Sequence, residues 1–440
     1  MRFSASELAS HLDAAFVGPD VTIDGTGTDS RTIRPGQLFV PIVAERDGHD
    51  FIPSALGAGA AAYLTQREPE GATAISVEDT AVALMNLGVL ARDRVGGVVG
   101  ITGSVGKTTT KDLLHECLAT TFSSAASERS FNNELGLPLT LLNAGDDARW
   151  VVLEMGARGV GHIARLAHVA RPDVVIVTSV AMAHVEFFGD MEAVARAKSE
   201  LVTSLPPTGV AVLNFDDPRV GRMAALSPCP VLGYATGADA EVRAEDVELD
   251  ADLRARFMLV TPWGKGEVRL ALHGAHLVPD ALAAAAAALW CEVPFERVVI
   301  ALSEATGSPL RMEVRRVPNG PALIVDCYNA NPASTDAALR ALGVMKGARK
   351  VALLGLMAEL GSETEAEHRR AASLAGELGI ELVGYRTELY GPSQVSEVAD
   401  AVELLRSLAP GDAALVKGSR VAQLEDVVAA YESRVGSVAG

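Results

Sequence analysis

Cysteine is sparse: the 440 residues hold only Cys117, Cys229, Cys291 and Cys327, with no Cys-x-x-Cys pair and no Cys/His spacing that would suit zinc. A disulfide framework and a structural zinc site are therefore not expected, and a reduced, cytoplasmic setting is. Long apolar runs are missing as well. No uncharged stretch reaches the roughly 18 to 20 residues of a membrane span, so no stable membrane insertion is expected. The first residues carry Glu7, His11 and Asp13 where an export signal would need an apolar core, so no signal peptide is expected. Positive charge is in deficit, with 38 Lys and Arg against 56 Asp and Glu, a net charge of -18. That balance argues against nucleic acid or an anionic membrane as partner, since both demand a surplus of cations. Lysine occurs only at positions 107, 111, 198, 265, 346, 350 and 417. Any phosphate ligand needs a local, built site.

What is present is a core-forming composition, 49% hydrophobic and 21% charged, enough for two or three globular domains. The opening stretch has short apolar runs at 37–43 and 60–64 between Gly, Asp and Pro, which reads as a small mixed α/β unit with a recognition task. From about residue 95 apolar strands at 98–102, 150–154, 174–179 and 210–214 alternate with helix-length segments, the rhythm of a mostly parallel sheet covered by helices. Residues 281–290 are apolar but bracketed by Asp280 and Glu292, the length of a buried helix. The alternation restarts after 307–310, with strands at 322–326, 351–355, 381–385 and 413–417. The expected fold is α/β in three domains: a small N-terminal α/β domain over 1–80, a central P-loop ATPase-like parallel-sheet domain over 81–306, and a C-terminal Rossmann-like domain over 307–440.

Gly103-Ser104-Val105-Gly106-Lys107-Thr108-Thr109 follows a buried strand and precedes a segment with helical apolar spacing at Leu113, Leu114 and Leu118. Glycines let backbone N–H groups turn toward phosphate oxygens, and the following helix adds its positive end. Lys107 can reach the terminal phosphates, and the Thr108 hydroxyl can ligate magnesium. The spacing departs from GxxxxGK[ST], because Gly100 lies one residue too far upstream. A glycine-rich turn that only caps a helix is the plain alternative, opposed by the scarcity of lysine. Glu154 ends the apolar run before Met155 and Gly156, at a strand's C-terminal edge where ligands of open α/β sheets collect. It is a magnesium ligand or a solvated strand end. His184, after the next strand, is a second metal or phosphate contact or a structural histidine.

The order of motifs resembles the Mur ligase family nearly end to end. The anchors are the phosphate loop, Phe131-Asn132-Asn133-Glu134, Glu154-Met155-Gly156-Ala157, Ala183-His184-Val185-Glu186, Ala197-Lys198-Ser199-Glu200, Tyr328-Asn329-Ala330-Asn331-Pro332, Glu365-Ala366-Glu367-His368 and Val416-Lys417-Gly418-Ser419-Arg420. The Lys-Thr-Thr loop is shared by all Mur ligases and by folylpolyglutamate synthases. The Asn132, Tyr328 and His368 segments are more particular to the branch that adds a dipeptide.

The resemblance implies an ATP- and Mg2+-dependent amide ligase joining D-alanyl-D-alanine to UDP-N-acetylmuramoyl-tripeptide in cytoplasmic peptidoglycan precursor synthesis. A monomer is expected. It places ATP on Gly103, Ser104, Val105, Gly106, Lys107, Thr108 and Thr109, with His276, Arg311, Asp326 and Asn329 on its far side. Magnesium falls to Thr108, Glu154, His184 and Lys198, the last matching a lysine that several members carry as a carbamate. Catalytic roles fall to Lys107, His184 and Lys198. Substrate contacts are implied at Ser30, Arg31, Asp47, Gly48 and His49 for the uridine end, and at Asn132, Asn133, Tyr328, Asn331 and Glu359. Three positions depart from the family pattern: Leu277 and Asp280 replace the usual asparagines, and Leu356 the usual aspartate. The readings left open are another Mur or folylpolyglutamate-type amino-acid ligase and, from a different class, a P-loop kinase or nucleotide switch. The third residue of the acceptor peptide has no recognised reader.

Overall fold

The computed structural model of the chain describes residues 1–128, 131–181, 188–317 and 320–435. Three sheets of five, nine and six strands follow one another along the chain, with a two-stranded ribbon of Arg2–Ser4 and Thr22–Asp24 at the start. The first sheet runs Ala15–Val17, Thr73–Ser76, Ala62–Thr65, Leu38–Phe39, Thr26–Gly27, antiparallel only at its first pair. Asn143 ties this unit to the central one. Its side-chain amide accepts from the Thr26 N–H at 2.9 Å and donates to the Thr26 carbonyl at 2.8 Å, as a neighbouring strand would.

The central sheet places Gly97–Thr102 between Trp150–Glu154 on one side and Val174–Val177 on the other. The chain thus crosses from one side of this strand to the other, which opens a crevice at its C-terminal end. All six residues of the strand are buried, as expected when helices cover both faces. The strand expected at 174–179 ends at Val177, where Thr178 and Ser179 turn their hydroxyls onto the phosphate loop: Thr178 Oγ1 donates to the Val105 carbonyl at 2.5 Å. Beyond Val242–Leu249 the sheet continues as antiparallel strands Arg254–Thr261 and Gly264–His273. The sequence reading lacked this extension. Its strands alternate buried and exposed residues, as in Arg254–Thr261, and a half-wet antiparallel edge has no continuous apolar run to announce it.

Helix Val278–Trp290 carries Pro279 in its first turn and then a run of alanines, the best helix former. Its residues Ala281 to Ala288 are all 0% exposed. Small side chains let it lie flush against the sheet and against helix Lys107–Ala119, fixing the helix that carries the phosphate loop.

The third sheet has the order Glu313–Arg316, Ala322–Asp326, Ala413–Lys417, Lys350–Leu354, Glu381–Tyr385, Gln394–Val395, parallel except at its first pair. Its register sets Asp326 beside Lys417 and Lys417 beside Leu354. Three strand ends with polar loops therefore come together where this sheet meets the central one. Among the described residues no helix is long and apolar enough to cross a membrane.

Candidate active site

The Gly97–Thr102 strand runs straight into the phosphate loop. Gly106 has φ +87° and forms the N-cap of helix Lys107–Ala119; a Cβ there would stand 2.2 Å from Asp280 Oδ1. Only glycine satisfies both the left-handed backbone and the contact. The unpaired N–H groups of the first helical turn thereby face the crevice, ready for an anion. Lys107 folds its ammonium back onto the Gly103 carbonyl at 2.8 Å. Burial holds its pKa below the usual lysine value, the Glu154 carboxylate opposing that shift and Arg311 reinforcing it.

Thr108 Oγ1 donates to Glu154 Oε2 at 2.8 Å, while Glu154 Oε1 accepts from Asn132 Nδ2 at 2.9 Å. The carboxylate, only 1% exposed, is thus held at both oxygens, and the Glu154 backbone is fixed by its N–H donating to Ser127 Oγ at 3.2 Å. Arg311 reaches over from the third unit and donates from Nη2 to Thr108 Oγ1 at 3.1 Å. Its guanidinium carbon stands 4.2 Å from the centre of the Tyr328 ring. Its Nε is buried without a hydrogen-bond partner among the described residues, a donor left over for a ligand.

Lys198, on helix Met191–Thr203, is 6% exposed. Burial first, and the charge of Lys107 second, bring its pKa down to about 7. A substantial fraction of this amine is neutral at physiological pH.

One cavity of about 440 Å³ joins these groups. From the central unit it is walled by Gly103, Ser104, Val105, Gly106, Lys107, Thr108, Asn132, Asn133, Glu154 and Lys198, and from the third by Arg311, Asp326, Tyr328, Asn329, Asn331 and Glu359. Asn331 also N-caps helix Pro332–Val344 through a capping box with Ser334. Lys417, 1% exposed, gives its ammonium to Asp326 Oδ2 at 2.6 Å and to the Asn329 carbonyl at 3.0 Å, stitching two strand ends together. A buried charge of this kind is tolerable only because it is paired and hydrogen-bonded.

Several expected residues lie elsewhere. Thr109 and His276 are not among the cavity's walls. Burial drives the His276 pKa down to about 4, with Asp326 opposing and Lys417 reinforcing, so its ring is neutral. His184 falls outside the described residues. Ser30, Arg31, Asp47, Gly48 and His49 sit in the first unit, away from this cavity. There Arg31 closes a surface turn onto Asp29 at 2.6 Å. His49 is 3% exposed with both ring nitrogens engaged, Nδ1 to Asp47 at 2.6 Å and Nε2 accepting from the Gln66 N–H at 3.0 Å. Its polar capacity is spent on holding the turn.

The sequence reading of site residues left out Lys417, Arg158, His162 and Glu134, all of which line the cavity. Lys417 had a signal, a scarce lysine at an expected strand end. Arg158 and His162 had none, because they lie in an irregular segment and at a helix start whose position only the fold decides.

Asp280 is the departure from the family pattern with a physical consequence. It is 7% exposed beneath Gly106, and burial raises its pKa to about 8, against smaller opposing effects of Thr110 and Arg311. A carboxyl whose folded pKa exceeds its unfolded value lends its full stability below the unfolded pKa, near 4, and loses it as pH rises through about 8. Asp280→Asn keeps the shape and removes the titration. Its melting temperature should therefore gain on the parent steadily from pH 5 to pH 8.5; a constant difference across that range would contradict the buried neutral carboxyl.

Comparison with known proteins agrees with this architecture. Family models match in three segments: "Mur ligase family, catalytic domain" over 22–94, "Mur ligase middle domain" over 101–288 and "Mur ligase, glutamate ligase domain" over 310–420. The UDP-N-acetylmuramoyl-tripeptide--D-alanyl-D-alanine ligase of Mycobacterium tuberculosis is 39% identical, with 94% of each chain covered. The crystal structure of MurF from Acinetobacter baumannii superposes with a TM-score of 0.89 at 28% identity, covering 98% of this chain and 99% of that one. MurF ligase from Thermotoga maritima in complex with ADP gives 0.83 at 27% identity, covering 93% and 97%.

Proposed function

This chain belongs to the Mur ligase family, and from that premise we propose that it joins D-alanyl-D-alanine to UDP-N-acetylmuramoyl-tripeptide at the expense of ATP, a step of peptidoglycan precursor synthesis. The observation that carries the reading is the meeting of a phosphate loop, a Thr108–Glu154 pair and a cation from the third unit, Arg311, in one cavity.

A carboxylate accepts an amine only once one of its oxygens becomes a good leaving group. The peptide's terminal carboxylate attacks the ATP γ-phosphorus, the bond to ADP breaks, and an acyl phosphate forms. The dipeptide's ammonium group loses a proton, the resulting amine attacks the carbonyl carbon, the C–O bond to phosphate breaks, and a second proton leaves the new amide nitrogen. No protein nucleophile is required. Lys107 and the first-turn N–H groups offset charge on the transferring phosphoryl group, which is where preorganised donors act most strongly. Arg311, already in contact with Thr108, adds a cation on the opposite wall. Asp326 and Asn329, fixed by Lys417, face the nucleotide from the third unit, and the Glu359 carboxylate is the acceptor for the dipeptide's ammonium group.

The donor set fits magnesium: a threonine hydroxyl hydrogen-bonded to a buried carboxylate, both hard oxygen ligands. Thr108 and Glu154 would hold the ion, with Lys198 joining as a carbamate and His184 as the further ligand that the resemblance implies. When bound, magnesium supplies charge neutralisation at the phosphates. Among the described residues no group of three His, Cys, Asp or Glu side chains is placed to hold a metal ion. The first unit, with Ser30 and Arg31 on an open turn, would take the uridine end of the long acceptor.

The test is a phosphate-release assay with ATP and a panel of nucleotide-linked tripeptides, with and without D-alanyl-D-alanine. Release that needs both peptides is expected. Release with a single amino acid in place of the dipeptide would favour another ligase of the family, and release or phosphoryl transfer needing no amine would favour a kinase or switch.

A further inference from the structure

The Glu365-Ala366-Glu367-His368 segment has no part in the phosphate chemistry. His368 is 0% exposed near the start of helix Thr364–Glu377. The Met357 N–H donates to its Nε2 at 3.0 Å, so the ring proton sits on Nδ1, which donates to the Thr364 carbonyl at 2.6 Å. The hydrogen bonds themselves define a neutral tautomer, and burial lowers the ring's pKa in the same sense. Around it the loop that leaves strand Lys350–Leu354 is tied at five backbone groups, the Gly355 N–H donating to the Lys417 carbonyl at 2.8 Å and the Leu356 carbonyl accepting from the Ser419 N–H at 3.0 Å. Tyr390, whose ring centre is 4.8 Å from that of His368, donates its hydroxyl to the Gly355 carbonyl at 2.9 Å. Met357 is held by His368, and the Ala358 N–H donates to Ser419 Oγ at 2.9 Å.

The next residue is Glu359, with φ +62°. A side chain other than glycine stays in the left-handed region only where its surroundings impose it. Here it faces the cavity, with Oε1 3.8 Å from Arg158 Nη2 of the central unit.

We infer that His368 is a positioning residue for the amine substrate: its neutral ring locks the backbone at Met357 so that the left-handed turn presents the Glu359 carboxylate to the dipeptide's ammonium group. The inference rests on the ligase reading above. Without the Nε2 acceptor the Met357 N–H is buried and unsatisfied, the loop relaxes to recover a partner, and Glu359 leaves its place. The phosphate loop, Thr108 and Glu154 stand on other elements, in the central unit.

The experiment uses H368F, which fills the space but accepts nothing, and H368Q, whose side-chain carbonyl can accept the Met357 N–H, each alone and with E359Q. H368F should raise KM for D-alanyl-D-alanine by about tenfold or more, leave KM for ATP within about twofold, and be largely rescued in H368Q. In the E359Q background H368F should add nothing, because the group it positions is already gone. Equal defects in H368F and H368Q, parallel movement of the ATP KM, or the same increment in both backgrounds would each overturn the inference. If H368F loses its melting transition, H368L, which also accepts nothing, carries the same cycle: a KM defect that vanishes in the E359Q background supports the inference, and one that persists there overturns it. A parent protein whose phosphate release ignores D-alanyl-D-alanine would instead overturn the ligase reading beneath it.

Discussion

Lys107→Ala should lower peptide-dependent phosphate release by about a thousandfold, the upper end for removing one preorganised donor from a developing anion. The ammonium is the cation of the phosphate loop itself, placed by Gly103 and the start of helix Lys107–Ala119. The loss should not come with loss of fold. A lysine whose folded pKa is depressed favours its neutral form in the native state, so at neutral pH its buried charge works against folding, and alanine removes that cost. The variant's melting temperature should equal or exceed the parent's. Assay and thermal melt together decide the matter: full activity would end the assignment of the loop to ATP.

Lys198→Ala should cost at least about a hundredfold, more than the loss of an outer partner of a metal site. An ammonium beside Lys107 and a magnesium ion would be repelled, whereas a carbamate, formed when the neutral amine takes up carbon dioxide and releases a proton, supplies an oxygen ligand. Burial and the charge of Lys107 bring the Lys198 pKa down to about 7, so the neutral amine gains as pH rises from 6 to 8. Protein equilibrated with 13C-labelled carbon dioxide should give a carbamate carbonyl resonance that is absent from Lys198→Ala. Activity should fall on removal of carbon dioxide and return with bicarbonate in the parent alone. An active Lys198→Ala enzyme, or a parent with neither resonance nor bicarbonate response, would leave Lys198 a buried amine and nothing more.

Much of this site was legible because chemistry at strand ends leaves a local trace. Glu154 and Asp326 each close a run of buried apolar residues, and an acid there breaks the pattern at the point where a parallel sheet gathers its ligands. Lys107 and Lys198 stand out in a chain with little lysine. Arg158 has no such trace: it follows Ala157 in an irregular stretch, and only the approach of the third unit brings Glu359 within 3.8 Å of it. His49 illustrates the opposite case. The resemblance alone implies it as a substrate contact, and only the fold shows its ring bonded to Asp47 and to the Gln66 N–H.

By itself the sequence determined the alternating strands of its domains and the phosphate loop, because hydrophobic period and glycine placement act through near neighbours along the chain, while the family of chemistry came from the resemblance of its motifs. The tertiary structure alone decided which distant groups share one cavity, that Lys417 is paired with Asp326, and that Asp280 lies under Gly106 as a neutral acid. Those outcomes depend on strand register, on helix packing and on the removal of water from charged groups, all of which exist only once segments far apart in the chain, 91 residues for Lys417 and Asp326 and 203 for Arg311 and Thr108, have closed on one another.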